Sequence, residues 1–196
     1  MTSRGMTFSR RGRLARWVAM TGALAAAVVV LASGTAYAGG TAHTNSLWAV
    51  QDGFEGNPAA TWTIEHYGIS NGGFDINAGT ARSGGNDAWL FAQTSFASAG
   101  RPVHLTPAPF HPGLRCAGQV YVSALGPAQV NFEIINPPTW TYIALQTVYL
   151  NGGGYTAVEV GPWWPGPADV YLRVSLVGNG GFSAIRIDDM QVQCAY

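Results

Sequence analysis

Two pairs of carboxylates stand out in a chain with few charges. Asp52 and Glu55 flank Gly53-Phe54, and Asp188 and Asp189 are adjacent within the last apolar stretch, 182–194. A carboxylate pair is the minimum equipment for glycoside hydrolysis, one group acting as acid while the other attacks or activates water. Both pairs lie at strand ends bordered by glycine or apolar residues. No other hydrolytic pattern accompanies them: there is no GxSxG, no HExxH, no phosphate-binding glycine loop and no GxGxxG between a strand and a helix. His43, His66, His104 and His111 are scattered, none at metal-ligand spacing from a second His or a Cys. The expectation is a protein that is not an enzyme and has no catalytic residues.

The pair at 188–189 carries a second signal. The apolar residues before it, Ile185 and Ile187, are odd-numbered; those after it, Met190, Val192 and Cys194, are even-numbered. Strand side chains alternate faces with period two, so a buried set changes parity only where one residue is extra. The pattern predicts a β-bulge at Asp188–Asp189. Carboxylates at such a bulge need solvent, an arginine or a cation as partner.

The polar phases of the central strands point to binding. Gln119, Tyr121 and Ser123 alternate with Val120 and Val122; Asn131 and Glu133 with Val130, Phe132 and Ile134; Tyr171, Arg173 and Ser175 with Val170, Leu172, Val174 and Leu176. Arg186 also falls in a polar phase. If these strands share a sheet, one face combines rings with planar polar groups. Rings cover the apolar C–H faces of sugars, and amides, carboxylates and guanidinium groups bond their hydroxyls. The same alternation also describes a sheet that is simply wet on one face. Glu133 opposite Arg173 or Arg186 also reads as a cross-strand ion pair. Trp140 follows Pro137-Pro138, and Trp163-Trp164 lies between Pro162 and Pro165, positions suited to loop anchors or to ligand platforms. Trp62 and Trp89, inside strands, are expected in the core. The candidate ligand residues are Gln119, Tyr121, Asn131, Glu133, Trp140 and Arg173.

The elements that position these residues begin after residue 38. Arg10, Arg11, Arg13 and Arg16 precede an apolar run, 17–31, too short to span a bilayer comfortably, and Ala36-Tyr-Ala38 reads as a cleavage site. Residues 1–38 are expected to be a secretory signal peptide. The Ser9-Arg-Arg stretch is compatible with twin-arginine export and with an ordinary basic start. All ten acids follow residue 38 but only five arginines do, so the remainder carries about −5. That sign argues against nucleic acid or an anionic membrane as partner.

Residues 39–46 read as a flexible N-terminus and 47–196 as one domain. Its glycine, proline, threonine and aromatic content, with no helical periodicity, marks an all-β protein. About ten short strands are expected, with a loop at 68–73 and a long proline-rich connection at 98–115. Turns at this spacing predict an antiparallel β-sandwich. Cys116 and Cys194, the sole cysteines of an exported chain, are expected to pair.

Asp52-Gly-Phe-Glu55, the Trp62 strand, Ala81-Arg-Ser-Gly84 and Ala88-Trp-Leu90 form one half of a recognisable order. Tyr121-Val-Ser, Tyr155-Thr-Ala-Val, Val170-Tyr-Leu-Arg-Val174 and Ile185-Arg-Ile-Asp-Asp189 form the other. Together they resemble the galactose-binding-like jelly rolls, in particular the carbohydrate-binding modules attached to xylanases and glucanases. The resemblance implies a polysaccharide or glycan on the concave sheet face. It also implies a structural calcium held by Glu55, Asp188 and either Asn86 or a neighbouring carbonyl of the 84–87 turn, an oxygen set of the right chemistry. It departs from the usual pattern in the proline-rich stretch 99–114. The reading is a secreted, lectin-like, non-catalytic module; a cell-surface structural or protein-interaction domain is the alternative, and a small hydrolase or lyase a third.

Overall fold

The computed structural model describes residues 47–105, 113–166 and 168–195, all within the compact unit Ala42–Tyr196. The expected signal peptide and flexible N-terminus lie outside the described residues. Alternating apolar residues build seven strands: β1 (Leu47–Asp52), β2 (Thr63–Tyr67), β3 (Ser70–Ile76), β4 (Asn86–His104), β5 (Arg115–Asn136), β6 (Thr141–Trp163) and β7 (Asp169–Ala195). Every pairing is antiparallel. The order is β2–β4–β7–β5–β6, with β3 also on β4 and β1 also on β7. No helix among the described residues is long and apolar enough to cross a membrane.

The short strands expected from the sequence are joined. β4 to β7 run for 19, 22, 23 and 27 residues. Each bends once and serves two layers. The bends fall at the register slips between Ala92 and Thr94 and between Ala124 and Gln129, and at positive-φ Gly152, Gly153 and Gly180. Inward residues of one layer (Leu90, Val120, Val122, Ile185, Ile187) and of the other (Ala99, Val130, Phe132, Leu172, Val174) form a single core. Gly118 of the first layer faces the Phe132 ring of the second, where an added Cβ would stand 3.0 Å from the ring. The sheet is therefore folded over itself into the β-sandwich jelly roll anticipated from the sequence. One layer holds β1 and β3, the first halves of β4 and β5 and the second halves of β6 and β7. The other holds β2 and the remaining halves.

Parts of two expected loops are strands, and residues 106–112 of the expected connection lie outside the described residues. Residues 98–104 continue β4, because Ala97, Ala99 and Val103 alternate into the core. Pro102 is tolerated there because β2 stops pairing at Gly100, so its missing N–H faces an unpaired edge. Ser70–Gly73 begin β3 on the other half of the same edge. Trp62 is in the core as expected, whereas Trp89 is half-buried in the outward phase beside buried Leu90.

The bulge at the acid pair is present. Gln119 pairs with Gln191 and Tyr121 with Asp188, two steps on β5 against three on β7. Asp189 is the extra residue and takes a φ of 46°. Cys116 and Cys194 are direct cross-strand partners, buried and bonded, closing 78 residues of sequence. Replacing both by alanine is expected to lower unfolding free energy by about 2–5 kcal/mol. Urea denaturation checks this, and unchanged midpoints would show that the bridge adds nothing.

Candidate functional site

The residues expected to act together occupy two separate places. The first is a clasp where the loop between β3 and β4 lies across β7. Backbone N–H groups of Arg82 and Ser83 donate to Asp188 Oδ2 at 2.7 and 3.0 Å, and that of Asp189 donates to Oδ1 at 2.7 Å. Those of Gly85 and Asn86 donate to Glu55 Oε1 at 2.8 and 3.1 Å. The Asn86 side chain donates from Nδ2 to the Phe54 carbonyl and accepts the Asn77 N–H on Oδ1. Gly84 is required here: its φ is +62°, and a Cβ would sit 2.0 Å from Glu55 Oε1. Asp188 is wholly buried. Burial pushes its carboxyl up, and the N–H donors of Ser83, Asp189 and Arg82 pull it partly back. Asp189 turns outward to the Arg82 guanidinium and the Ser83 hydroxyl.

Glu55, Asn86 and Asp188 thus meet on one loop, as the sequence suggested. A calcium ion needs six to eight oxygens converging on one point. Here oxygens of all three side chains face N–H donors instead. Among the described residues no group of three or more His, Cys, Asp and Glu has metal-holding geometry. In this arrangement hydrogen bonds close the clasp.

The second place is the outer face of the β2-containing layer. The register sets its side chains in rows across the strands. Thr63, Gly100, Arg173, Glu133 and Leu145 form one row; Glu65, Ser98, Ser175, Asn131 and Thr147 form the next. Aromatic residues bound both: Tyr67 and Phe96 with Tyr149 on one side, Tyr171 with Tyr142 on the other. Successive same-face rows are about 6.6–6.8 Å apart along a strand. Glu133, 2% exposed, is ion-paired with Arg173 Nε. Glu65 approaches the same guanidinium at 4.0 Å, and Phe96 lies beneath it. Thr147 donates to Asn131 Oδ1 at 2.9 Å. Gly100 leaves room for the Tyr171 ring, which a Cβ would meet at 2.5 Å. Trp140, on the β5–β6 turn with φ 52°, packs against Tyr171 at 5.5 Å. The result is a groove of about 270 Å³ lined by Phe96, Asn131, Glu133, Tyr142, Arg173 and Ser175.

Of the six ligand candidates, Asn131, Glu133, Arg173 and Trp140 belong to this face. Gln119 and Tyr121 do not. They precede the bend in β5 and point outward from the opposite layer. There the Arg82 guanidinium covers the Tyr121 ring at 3.5 Å, and Gln119 bonds Glu159 and Gln191. They line a separate cavity of about 440 Å³ with Asp52, Ser83 and Asp189. Sequence reasoning missed Phe96 and Tyr142, which line the groove through non-local pairing, and Tyr67, which packs on Phe96.

A folded seven-stranded sheet with a groove on one outer face is the jelly roll built by carbohydrate-binding modules. Solved structures with this fold include TmCBM61 in complex with β-1,4-galactotriose, at 13% identity and a TM-score of 0.52, covering 72% of this chain and 93% of that one. The CBM22-1 xylan-binding domain of Paenibacillus barcinonensis Xyn10C is 14% identical, with a TM-score of 0.54 and coverage of 75% and 94%. The C-terminal family 22 module of Clostridium thermocellum Xyn10B is 20% identical, with a TM-score of 0.51 and coverage of 74% and 91%. At these identities the likeness is one of fold. No protein-family model and no curated protein matches the chain.

Asp188→Ala would leave three N–H groups without their acceptor. It is expected to cost about 3 kcal/mol or more, at 1–3 kcal/mol for each stranded donor. Chemical denaturation measures it; a loss under 1 kcal/mol would mean that the clasp does not hold the layer together.

Proposed function

We propose that the protein is a secreted, non-catalytic carbohydrate-binding module that takes a polysaccharide in the groove of the β2–β4–β7–β5–β6 layer. The observation that carries this reading is the composition of the groove. Its floor holds Asn131, Ser175 and the Glu133–Arg173 pair, and exposed Tyr67, Trp140, Tyr142 and Tyr149 stand around it. Planar polar groups below and rings at the rim match the two kinds of surface a pyranose presents. The fold shared with xylan- and galactan-binding modules supports the same reading. The protein-interaction alternative calls for a flat face without a groove or exposed ring. A hydrolase calls for a second catalytic group beside Glu133; the carboxylate available there is Glu65, and both carboxylates are drawn to the one Arg173 guanidinium.

Affinity electrophoresis of the domain 39–196 in β-1,4-galactan, xylan and β-glucan tests this proposal. Retardation by at least one polymer is expected. Trp140→Ala and Tyr142→Ala should each weaken binding roughly 2- to 12-fold, corresponding to about 0.5–1.5 kcal/mol per ring. No retardation by any neutral or acidic polysaccharide would refute it.

The calcium implied by the family resemblance is a separate matter with its own measurement. A bound ion raises the melting temperature with its concentration. A clasp closed by N–H donors melts at the same temperature in millimolar calcium and in chelator. The resemblance implies a chelator-sensitive melt whose sensitivity Asp188→Ala abolishes, and a wild type indifferent to chelator refutes the ion.

A further inference from the structure

We propose that the cavity beside the β3–β4 loop, on the face opposite the groove, is a second saccharide site, so that one molecule holds two glycan units at once. The inference goes beyond the groove reading above and rests on it for the kind of sugar used as probe. It starts from the cavity itself. Its volume is about 440 Å³, against about 270 Å³ for the groove, and small-molecule sites occupy roughly 300–1,000 Å³.

The walls are held in place. The floor is the outward face of β1, β7 and β5, and the β3–β4 loop forms one side through Arg82 and Ser83. The N–H groups of those two residues are fixed on buried Asp188. The Arg82 guanidinium is stacked on the Tyr121 ring at 3.5 Å and ion-paired with Asp189. The Ser83 hydroxyl donates to Asp189 Oδ1 at 2.7 Å. Side chains ordered in this way lose little further freedom when a ligand arrives.

The floor carries a row of planar polar groups. Gln51 pairs in register with Gln191, Gln191 with Gln119, and Gln119 with Glu159. Neighbouring strands set the members of such a row about 4.7–4.9 Å apart. Gln191 Nε2 donates to Gln119 Oε1 at 2.7 Å, and Gln119 Nε2 donates to Glu159 Oε1 at 2.9 Å. These two bonds orient the amides. The Gln191 carbonyl and the whole Gln51 amide keep their bonding capacity at the cavity, since no protein group among the described residues engages them.

The lining selects the class of ligand. Its charges are matched, Arg82 by Asp189 and Asp52 by Arg101, so it offers no spare charge to an ion. Met190 is buried and the Tyr121 ring lies under Arg82, so it offers little apolar surface to a lipid. What remains are oriented amide donors and acceptors. They suit a neutral molecule rich in hydroxyls, each of which both donates and accepts. A saccharide has that chemistry.

The test follows the side-chain amide resonances of isotope-labelled protein during titration with β-1,4-galactotriose, xylohexaose and a short β-glucan oligosaccharide. The Gln51 and Gln191 signals are expected to shift and saturate with at least one of them. They should do so with unchanged affinity in Tyr142→Ala, which weakens the groove. Gln191→Ala is expected to weaken binding at the cavity about fivefold, read at Gln51, the effect of one ordinary hydrogen bond. The response of the Asn131 amide in the groove should stay as in the wild type. Shifts at Asn131 without shifts at the two glutamines overturn this inference and leave the groove reading standing. So do glutamine shifts whose affinity falls in step with that of Asn131 in Tyr142→Ala, because they then report the groove. A response at neither place overturns this inference too, and the carbohydrate reading falls with it if no polysaccharide retards the protein in electrophoresis.

Discussion

One constraint governs the structure: a strand that bends across its own core must present its apolar phase inward on both sides of the bend. β5 manages this without changing parity. Its inward residues, from Cys116 through Val120 and Val122 to Val130, Phe132 and Ile134, are all even-numbered. β4 changes parity at the slip between Ala92 and Thr94. β7 changes twice, once through its glycine-rich bend near Gly180 and once at the Asp188–Asp189 bulge. Each change of phase therefore marks either a bend or the clasp. The same constraint separates the two outward faces. Residues a few positions apart on one strand, such as Tyr121 and Glu133, end up on opposite sides of the molecule.

This explains which parts were legible in the sequence. Period-two alternation is local, so it revealed the all-β class and the parity break at Asp188, but left Glu133 facing either Arg173 or Arg186; the register pairs it with Arg173. The cysteines could be paired by elimination, and their register, Cys116 opposite Cys194, agrees. The bend in β5 is carried by Leu125-Gly126-Pro127, which interrupts the alternation without shifting it. Nothing in the pattern of Val120, Val122 and Val130 tells that the chain has crossed from one layer to the other. Gln119 and Tyr121 were accordingly grouped with a face they do not share. Ser98 falls in the stretch 98–115, whose four prolines and two glycines read as an irregular connection, whereas Ala97, Ala99 and Val103 are buried in the core. Tyr67 and Phe96 meet only through the β2–β4 pairing, a contact that no local pattern encodes.

The clasp layer saturates its carboxylates. Asp188 accepts three N–H groups, and Asp87 accepts from Arg186, Tyr155 and Thr80. Stranding any of these donors inside the protein would cost about 1–3 kcal/mol, so the network fixes the β3–β4 loop against β7. The groove layer is saturated less completely. Glu133 is held by Arg173, while the buried hydroxyls of Ser98 and Ser175 have no protein partner.

The rim of the groove is held as firmly as its floor. Tyr171 lies over Gly100 and braces Trp140, whose backbone N–H is bonded to the Asn136 carbonyl at 2.8 Å. Tyr67 rests on Phe96 at 5.1 Å. These rings are exposed, yet neighbours fix their orientation, so covering them with a ligand freezes little additional freedom. Binding loses roughly 0.5–1.5 kcal/mol for each rotamer-rich side chain that must be ordered, and a braced ring avoids most of that loss. A shallow groove with few charged contacts can then hold a flexible polymer through the stacking of its rings.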